Sequence, residues 1–506
     1  MKLRKFICLI LAITMLAALV LPGCGGETTD PSGTGEVTQA GNETKEPNPD
    51  DPDSGKFRVG HGRVNITPSD PVPLAGYGNT DLRMSTGFLD YIYTTCIAIT
   101  DENDTTMLLF AVDLLYAINA VTEQLKDAVS AATGVPTDHI VVNATHSHSS
   151  IDVQSSLVVA QEWNNMYVGA CAEAARLAMA DRLPAKMYWT TADLSGYNFI
   201  RHYFTDLGEG YSVNHTRYCK GTPVRHTYDA NPTMFILKFE REGDKDVLLT
   251  NWRAHNVMTS STALGGTVFE KTNISADFTG QIRANLEKKY DAYVAYLQGD
   301  SGDVVTATSL PESIEHQPPR DYKQYGREVC EIISTAIDAG FEEIQPGPIQ
   351  LMEERFVGKS NKADLEHLDA ARAVHAAWNE THNANLACAV DETHFIQSQY
   401  HAGWLLARPS LPEYRDFLIV VGRIGDFAFT MAPFETSCSN GNYVRENSPS
   451  KYTMVLGYSN ENYGYLCAAE AYDYGCYETD ITQYAKGVGE DLAARYVVML
   501  NELYGK

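Results

Sequence analysis

The chain has 506 residues, of which 44% are hydrophobic, and its formal net charge is -26 at pH 7. Nucleic-acid binding needs a basic surface that contacts phosphates, so this charge excludes nucleic acid and other anionic polymers as expected partners. The length allows one large domain or two to three ordinary ones. Since neither an internal repeat nor a second low-complexity linker interrupts the later part, we predict one large α/β catalytic domain.

The first residues have the pattern of a targeting segment. Three basic residues precede a nearly uncharged apolar run over 6–21, which Leu21-Pro-Gly-Cys24 closes like a bacterial lipobox. The alternative is a single transmembrane anchor, but the run is shorter than the roughly 20 residues that a span needs. We therefore predict a lipoprotein signal peptide over residues 1–24 and lipidation of Cys24. The mature protein would then be extracytoplasmic and anchored to the bacterial cell membrane by its lipid.

Residues 25–56 are rich in Gly, Thr, Pro, Asp, Glu and Asn and contain almost no apolar side chains. Such a segment cannot bury enough surface to fold, and we predict a disordered spacer before a domain over 57–506. Eight cysteines remain after Cys8 and Cys24, and they are scattered without a Cys-x-x-Cys pair, which argues against a thiolate zinc ribbon. An exported chain permits a disulfide between Cys467 and Cys476, while free buried thiols remain an equal alternative.

Strands and helices alternate along the folded part. We predict a strand from Val59 that ends at the turn of Pro68, and further strands at 96–99, 107–112, 140–142, 234–239, 247–252, 293–297, 417–421, 427–432 and 452–456. Predicted helices cover 120–132, 170–180, 277–288 with Ser275 as N-cap, 322–339, 363–377 and 492–503. The predicted fold class is mixed α/β, with β-sheets flanked by helices.

The segment Asn143-Ala-Thr-His146-Ser-His148-Ser directly follows the predicted strand at 140–142. Side chains two residues apart in an extended segment point the same way, so His146 and His148 could face one cavity. Neutral imidazole is a common zinc ligand. The pair alone is a weak signal, because such histidines also occur as solvated or hydrogen-bonded side chains.

Ligand-capable side chains recur where predicted strands end, at His146, His255, Glu435 and Tyr465. In α/β sheets this edge is where ligands usually bind. Taken alone, His255 would be interpreted as a buried core histidine whose ring nitrogens have hydrogen-bond partners. Glu435 stands in apolar surroundings, where a carboxylate without a partner is costly to bury. The pattern favours a metal site without identifying the metal.

Together, several short segments resemble the neutral/alkaline (non-lysosomal) ceramidase family over roughly 57–500. The segments that carry the resemblance are Val59-Gly-x-Gly-x-x-x-Ile66-Thr-Pro68, Ala75-Gly-Tyr-Gly78, His146-Ser-His148-Ser, Asn198-Phe-Ile-Arg201, Ser275-Ala-Asp-Phe-Thr-Gly280, Gly302-Asp-Val304, Ala432-Pro-Phe-Glu435-Thr, Tyr465 and Cys476-Tyr477-Glu478. No segment is specific alone, but their order is. The resemblance implies the family's catalytic-domain fold and an amide hydrolase in sphingolipid or other lipid metabolism.

The resemblance also implies a Zn²⁺ site. Its ligands would be His146, His255, Glu435 and Tyr465. A set of two histidines, one carboxylate and a displaceable fourth ligand suits catalytic zinc, and zinc-activated water would be the nucleophile.

Three further residues acquire roles through the resemblance. His148 would lie beside the metal or transfer a proton. The alternative is that His148 only stabilises a loop. Arg201 and Tyr477 would bind the carbonyl oxygen as its negative charge grows. The alternatives are an ordinary ion pair for Arg201 and a packing role for Tyr477, which is one of 29 tyrosines.

The chain departs from the family pattern in three ways. Val305 stands where the ceramidases have a serine, so no hydroxyl is available there. Ser150-Ile151 replaces Gly-Pro after the histidine pair, which we expect to alter the rim of the site. The C-terminal immunoglobulin-like domain of the full ceramidases is expected to be missing. Ceramide is therefore in doubt as the substrate, although the zinc ligands remain.

Other readings of the sequence remain. Gly299-Asp-Ser-Gly302 resembles the nucleophile segment of trypsin-like proteases, but that fold is all-β and predicted helices lie on both sides here. The leading hypothesis is a surface-anchored zinc hydrolase that cleaves the amide of an N-acyl lipid or another N-acyl compound. A ligand-binding lipoprotein without catalysis would have the same lipobox, spacer and charge. An ester- or glycan-directed hydrolase on the same scaffold is the third possibility.

Overall fold

The computed structural model describes residues 38–39, 53–77, 83–208, 210–212, 221–261, 270–315, 317–318, 320–381, 396 and 399–506. Val37–Lys506 forms one compact unit. The predicted signal peptide with Cys24 lies outside the described residues, as does most of the predicted spacer. Among the described helices, none is long and apolar enough to cross a membrane.

The strands and helices follow one another along the whole described chain. The strands are β1 (Thr38–Gln39), β2 (Arg58–Asn65), β3 (Gly87–Phe88), β4 (Tyr93–Thr100), β5 (Thr106–Val112), β6 (Ile140–Ala144), β7 (Leu183–Asp193), β8 (Phe199–Ile200), β9 (His202–Thr205), β10 (Gly210–Ser212), β11 (Pro223–His226), β12 (Thr233–Arg241), β13 (Val247–Trp252), β14 (Asn273–Ile274), β15 (Tyr293–Gln298), β16 (Val304–Val305), β17 (Glu342–Ile344), β18 (Ile349–Lys359), β19 (Tyr414–Ile424), β20 (Phe427–Met431), β21 (Glu435–Thr436), β22 (Thr453–Leu456) and β23 (Tyr465–Leu466). The helices are α1 (Asn119–Thr133), α2 (Val158–Ala180), α3 (Asp277–Tyr290), α4 (Tyr322–Ala339), α5 (Leu368–Thr381), α6 (Gln399–Ala407), α7 (Cys438–Asn447), α8 (Ala471–Tyr474), α9 (Tyr477–Ile481) and α10 (Val488–Leu503).

The larger sheet has nine strands. Its order is β15-β13-β12-β7-β2-β4-β5-β6, and β17 pairs with β7 as the ninth strand. The strands at each end form a parallel pair, β5 with β6 and β13 with β15, while the pairs between them are antiparallel. Each parallel pair is joined through a helix, α1 or α3, as parallel strands require. The prediction of a mixed α/β fold is confirmed.

A smaller sheet packs on the inner face of the larger one. It has five strands in the order β1-β18-β19-β20-β22. Side chains from both sheets share one apolar core, in which Leu109 and Leu297 of the larger sheet join Leu351, Val420 and Phe429 of the smaller one. The remaining strands form short local sheets.

Helices cover the outer faces of both sheets. The first two helices bury Leu125 and Ala174 in the apolar cluster on one face of the larger sheet, where α2 lies on β2 and β4. α3 and α4 cover the strands at the other end of the larger sheet, and α10 covers the smaller sheet. The layers therefore run helices, sheet, sheet, helices. β5 buries six of its seven residues because it has apolar neighbours on both faces.

Two glycines of β2 permit the close approach of α2. A Cβ atom on Gly60 would lie 2.0 Å from the Ala178 carbonyl oxygen, and one on Gly62 would lie 2.0 Å from the Ala174 carbonyl oxygen. Both distances are far inside van der Waals contact with backbone that cannot rotate away. The Gly-x-Gly spacing of the opening segment therefore reflects helix-on-strand packing.

Asn143 joins the two edge strands of the larger sheet. Its Oδ1 accepts a hydrogen bond from the Gln298 backbone N–H (2.8 Å). Its Nδ2 donates to the Gln298 carbonyl (3.2 Å) and to the Gly457 carbonyl (2.6 Å). The side-chain amide thus acts like a peptide group between β6, β15 and the turn after β22.

Some predicted elements differ from the observed ones. The helix predicted at 170–180 begins at Val158, and the helix predicted at 363–377 is a 3₁₀ turn followed by α5. The prediction of Ser275 as N-cap is wrong, because Ala276 holds that position in α3. The Ser275 hydroxyl instead accepts from the Asp277 N–H (2.8 Å) and donates to Asp90 (2.7 Å).

The close contact between β2 and α2 predicts the effect of one added methyl group. We expect Gly62→Ala to lower the free energy of unfolding of the full chain by about 3 kcal/mol, the upper range for overpacking a core. Gly169→Ala is the matched control, because Gly169 lies in α2 and a Cβ atom added there would have nothing within 4 Å. That control should be neutral or stabilise by up to about 1 kcal/mol. Equal urea midpoints for both variants would contradict the packing argument.

Candidate metal centre

The four predicted metal ligands converge on one point where strands end. His146 follows β6 and His255 follows β13. Glu435 and Tyr465 are register partners in the short parallel pair of β21 and β23. His146 has a φ of 63°, a left-handed conformation that turns the chain sharply after its strand.

The ligand atoms of these residues lie close together. The Glu435 Oε2 atom is 3.3 Å from His146 Nε2 and 3.3 Å from His255 Nε2. The Tyr465 hydroxyl is 3.5 Å from His255 Nε2. His148 joins them with its Nε2 3.2 Å from His146 Nε2. The group of three histidines has the spacing of a metal site.

Backbone carbonyls orient two of the three imidazoles. His146 Nδ1 lies 3.0 Å from the Leu115 carbonyl oxygen, and His255 Nδ1 lies 2.7 Å from the Ser301 carbonyl oxygen. A carbonyl only accepts, so each Nδ1 carries the proton and each Nε2 presents a lone pair to the centre. Metal-binding histidines are held in this way.

His148 is held differently. Its Nδ1 is buried and has no hydrogen-bond partner among the described residues. The backbone of Gly76 presses on the ring, since a Cβ there would lie 2.4 Å from Nδ1. Gly76 has a φ of 107°, which favours glycine at this contact. His148 is thus positioned by packing, whereas His146 and His255 are positioned by hydrogen bonds.

The surroundings lower the pKa of His255, of His148 and of the Glu435 carboxyl group. Burial and then the positive charge of Arg201 lower the pKa of His255 to about 4. Burial and the two neighbouring histidines hold the pKa of His148 well below its ordinary value. Burial opposes ionisation of Glu435, but interactions with His146 and His255 outweigh it and hold the pKa of this carboxyl well below its usual range.

The main argument for a metal site comes from one oxygen of Glu435. Oε1 accepts a hydrogen bond from the Tyr116 hydroxyl at 2.7 Å. Oε2 is buried without a hydrogen bond in the described part of the chain, although it faces the Nε2 atoms of His146 and His255. A buried, ionised oxygen without a hydrogen bond is costly, and a cation bound at this point would compensate its charge. Zn²⁺ fits this set of two nitrogens and a carboxylate oxygen.

Arg201 lies beside the centre within a network of buried groups. Its Nε donates to Glu478 Oε1 (2.6 Å), and its Nη2 donates to the Gly302 carbonyl (2.8 Å) and to the Tyr465 hydroxyl (3.2 Å). These bonds leave Nη1 unused. The ion pair suggested as an alternative role is therefore present, and Nη1 remains as a donor without a hydrogen bond among the described residues.

Tyr477 lies next to Tyr465, the predicted fourth ligand. Their ring centroids are 5.9 Å apart in an edge-on arrangement. Burial, followed by the neighbouring Tyr400 and Glu435, holds the pKa of Tyr477 well above its ordinary value, so its hydroxyl stays protonated. The structure thus places Tyr477 at the site in a form that can donate a hydrogen bond.

Tyr400 reaches the same region from a helical hairpin, the packed pair of α5 and α6 between β18 and β19. The hairpin has its own apolar cluster, which includes Val374 and Leu405. Arg408 fastens it to α9 by donating to the Thr479 carbonyl (3.2 Å) and to the Asp480 carbonyl (2.7 Å). Burial raises the pKa of Tyr400, and the charge of Glu435 raises it further.

The positions that depart from the family pattern have different surroundings. Val305 is half-buried in β16 and pairs with Phe199 of β8. The expectation that Ser150 and Ile151 alter the rim of the site is wrong, because both are almost completely buried. The Ser150 hydroxyl donates to the Ser147 carbonyl (2.8 Å), and this hydrogen bond stabilises the loop that carries His146 and His148. Ser301 is fully buried, and its bond to the Tyr458 hydroxyl (2.8 Å) leaves it no role as a protease nucleophile.

Cys467 and Cys476 are both free and buried, and so are the other described cysteines. The possible disulfide between them is therefore absent from the structure. Both lie in one apolar cluster with Tyr465. Cys219 and Cys388 lie outside the described residues.

Three residues near the centre were not predicted from the sequence. Tyr116 holds Glu435, and it follows the end of β5, so the strand-end argument could have included it. His202 directly follows Arg201 but had no motif to single it out. Tyr400 lies in a helix that was not predicted.

No family model matches the chain, and no curated protein matches it. Solved structures that are similar to it include two ceramidases. One is a ceramidase described as complexed with C2, with 15% identity, a TM-score of 0.64, and coverage of 89% of this chain and 75% of that chain. The other is neutral ceramidase from Pseudomonas aeruginosa, with 16% identity and the same TM-score and coverage. The resemblance predicted from short segments is confirmed at the level of structure: this chain has the fold of the neutral ceramidases.

Proposed function

We propose that this protein is a zinc-dependent hydrolase of amide bonds that acts on an N-acyl lipid or another N-acyl compound. The observation that carries the proposal is the buried Glu435 Oε2 atom, which faces His146 and His255 without a hydrogen bond. Those three residues would hold the ion, with Tyr465 as a fourth, displaceable ligand. When bound, zinc supplies a Lewis acid that polarises a carbonyl oxygen and lowers the pKa of water.

The surrounding residues supply the other requirements of amide hydrolysis. Arg201 Nη1 and the Tyr477 hydroxyl are the donors for the carbonyl oxygen as it becomes negative, and Glu478 keeps the guanidinium in place. Water adds to the carbonyl carbon and its proton passes to His148 Nε2. The carbon–nitrogen bond then breaks as His148 returns the proton to the leaving nitrogen.

Valine at position 305 favours water over a side-chain nucleophile. It is half-buried near the centre and offers no hydroxyl for attack. The same residue keeps ceramide in doubt as the substrate. The aromatic side chains of Tyr116, Tyr400 and Tyr477 favour an acyl compound with an apolar part.

Metal analysis and a substrate panel test the proposal together. We expect purified full-length protein to contain about one zinc per chain and to hydrolyse at least one member of a panel of N-acyl lipids and N-acyl amino acids. His255→Ala should lose both the zinc and the activity. His139→Ala is the matched control, because His139 is also buried with its Nδ1 on a backbone carbonyl (3.0 Å) but lies outside the site.

The contrary outcomes separate the competing functions. A metal-free protein that binds N-acyl lipids equally well after His255→Ala would be a ligand-binding lipoprotein. A zinc protein that cleaves only esters or glycosides in a parallel panel would overturn the amide assignment while leaving the metal site in place.

Tyr116→Phe tests the support of the carboxylate. The substitution removes the hydrogen bond to Glu435 Oε1 and leaves both oxygens without a donor. Loss of such an outer hydrogen bond weakens metal affinity by about 10- to 100-fold, which competition with a chelator would measure. Tyr290→Phe, which loses a hydroxyl bond at Ser334 far from the site, should leave the affinity unchanged. An unchanged affinity in Tyr116→Phe would show that Glu435 does not depend on this bond.

Anchoring through Cys24 is a separate proposal that rests on the lipobox. Cell fractionation should find the full chain in the membrane fraction. Cys24→Ser should prevent lipidation and release the protein or stop its processing, while Cys8→Ser, within the same signal segment, should leave the distribution unchanged. A Cys24→Ser protein that stays lipidated and membrane-bound would refute the anchor.

A further inference from the structure

We propose that His202 is a positioning residue that acts through Glu478 to hold Arg201 against the reacting carbonyl group. The inference rests on the proposed amide hydrolysis and assigns a role to a residue that the family pattern does not include. Its support is a continuous chain of buried hydrogen bonds from β9 to the metal ligand Tyr465.

Glu478 is the middle of this chain. The residue is 2% exposed, and each of its carboxylate oxygens has a different partner. Oε1 accepts from Arg201 Nε at 2.6 Å, and Oε2 lies 2.7 Å from His202 Nε2. Because a carboxylate is planar, fixing both oxygens also fixes the direction from which the guanidinium can approach.

His202 is itself held at both ring nitrogens. Nε2 faces Glu478, and Nδ1 lies 2.9 Å from the Tyr474 hydroxyl. The residue is 1% exposed, so no water competes for these positions. Since the carboxylate only accepts, Nε2 carries a proton, and the ring acts as a fixed donor to the carboxylate.

Arg201 carries the effect to the site. It links Glu478 on one side to the Gly302 carbonyl and the Tyr465 hydroxyl on the other. Only Nη1 stays outside these bonds, and it is the donor assigned to the substrate carbonyl. A shift of the Glu478 carboxylate would therefore move this donor without removing any group that touches substrate.

The competing hypothesis is that His202 and Glu478 belong to a second metal site. His202, Cys476 and Glu478 do offer ligand atoms within 4.8 Å of one another. However, both Glu478 oxygens and both His202 nitrogens already have partners, and the Arg201 cation lies directly on the carboxylate. A further cation would have to displace an existing one, so the hydrogen-bonded reading is favoured.

The closing experiment compares three variants of the full-length zinc-loaded protein. His202→Ala leaves Glu478 Oε2 buried without a donor, and we expect kcat and kcat/KM to fall together by about 30-fold. His202→Gln should stay within about threefold of the parent, because its amide nitrogen can occupy the Nε2 position and donate to Glu478. Zinc content should be unchanged in both.

His139→Ala is the matched control. His139 is buried, and its Nδ1 lies 3.0 Å from the Thr106 carbonyl oxygen. This variant therefore removes a buried, hydrogen-bonded imidazole that has no contact with Arg201 or Glu478. We expect its kcat/KM to match that of the parent.

A second measurement does not depend on activity. Arginine labelled with ¹⁵N should show a protected Nε–H signal for Arg201, assigned by its loss in Arg201→Lys. His202→Ala should broaden or shift this signal while His202→Gln preserves it. If His202→Ala does not fold, the same comparison of His202→Gln with Tyr474→Phe decides, because Tyr474→Phe frees the ring and should shift the signal modestly.

Two results would overturn the inference. One is parent-like kinetics and an unchanged Arg201 signal in His202→Ala, or in Tyr474→Phe if His202→Ala does not fold. The other is equal impairment of the alanine and glutamine variants, which would indicate that only ring packing matters. If the parent hydrolyses nothing, the proposed function fails, while the Arg201 signal still reports whether His202 positions the guanidinium.

Discussion

The hydrogen bonds of Asn143 are the constraint on which the arrangement of the site depends. A nine-stranded sheet has two edges, and edge strands normally leave backbone groups unpaired. Here the Asn143 amide pairs with both backbone groups of Gln298, so that the edges β6 and β15 meet. Because β13 lies beside β15, His255 arrives next to His146. The same amide also holds the Gly457 carbonyl, which ties in the second sheet and the loops that carry Glu435.

Around this junction, one rule of buried charge explains two different carboxylates. An ionised group can be buried only where its oxygens have partners. Glu478 meets this requirement completely through Arg201 and His202. Glu435 meets it only at Oε1, through Tyr116, and turns its other oxygen towards imidazole lone pairs. This difference between a fully and a half-satisfied carboxylate is why we propose a metal ion at Glu435 and not at Glu478.

Local patterns in the sequence predicted much of this molecule. Strand β5 and helix α4 were found within one residue of their bounds, because continuous apolar runs and helical periodicity are local signals. The strand-end rule likewise selected His146, His255, Glu435 and Tyr465. Long-range partners could not be predicted: the bond from Tyr116 to Glu435 spans 319 positions in the chain. Helix α6 was also not predicted, because its apolar residues do not recur along one helical face.

The helical hairpin that carries Tyr400 begins and ends at neighbouring points of the smaller sheet. Lys359 and Tyr414 are register partners in the eleven-residue pairing of β18 with β19. The length of chain between two such adjacent points has only a weak, logarithmic effect on the entropy of closing the loop. Changes in the length of the hairpin should therefore cost little stability as long as the strands below stay in register. The side of the centre at which Tyr400 lies can thus vary in length and sequence, whereas the strands that lead to His146 and His255 are fixed in the larger sheet.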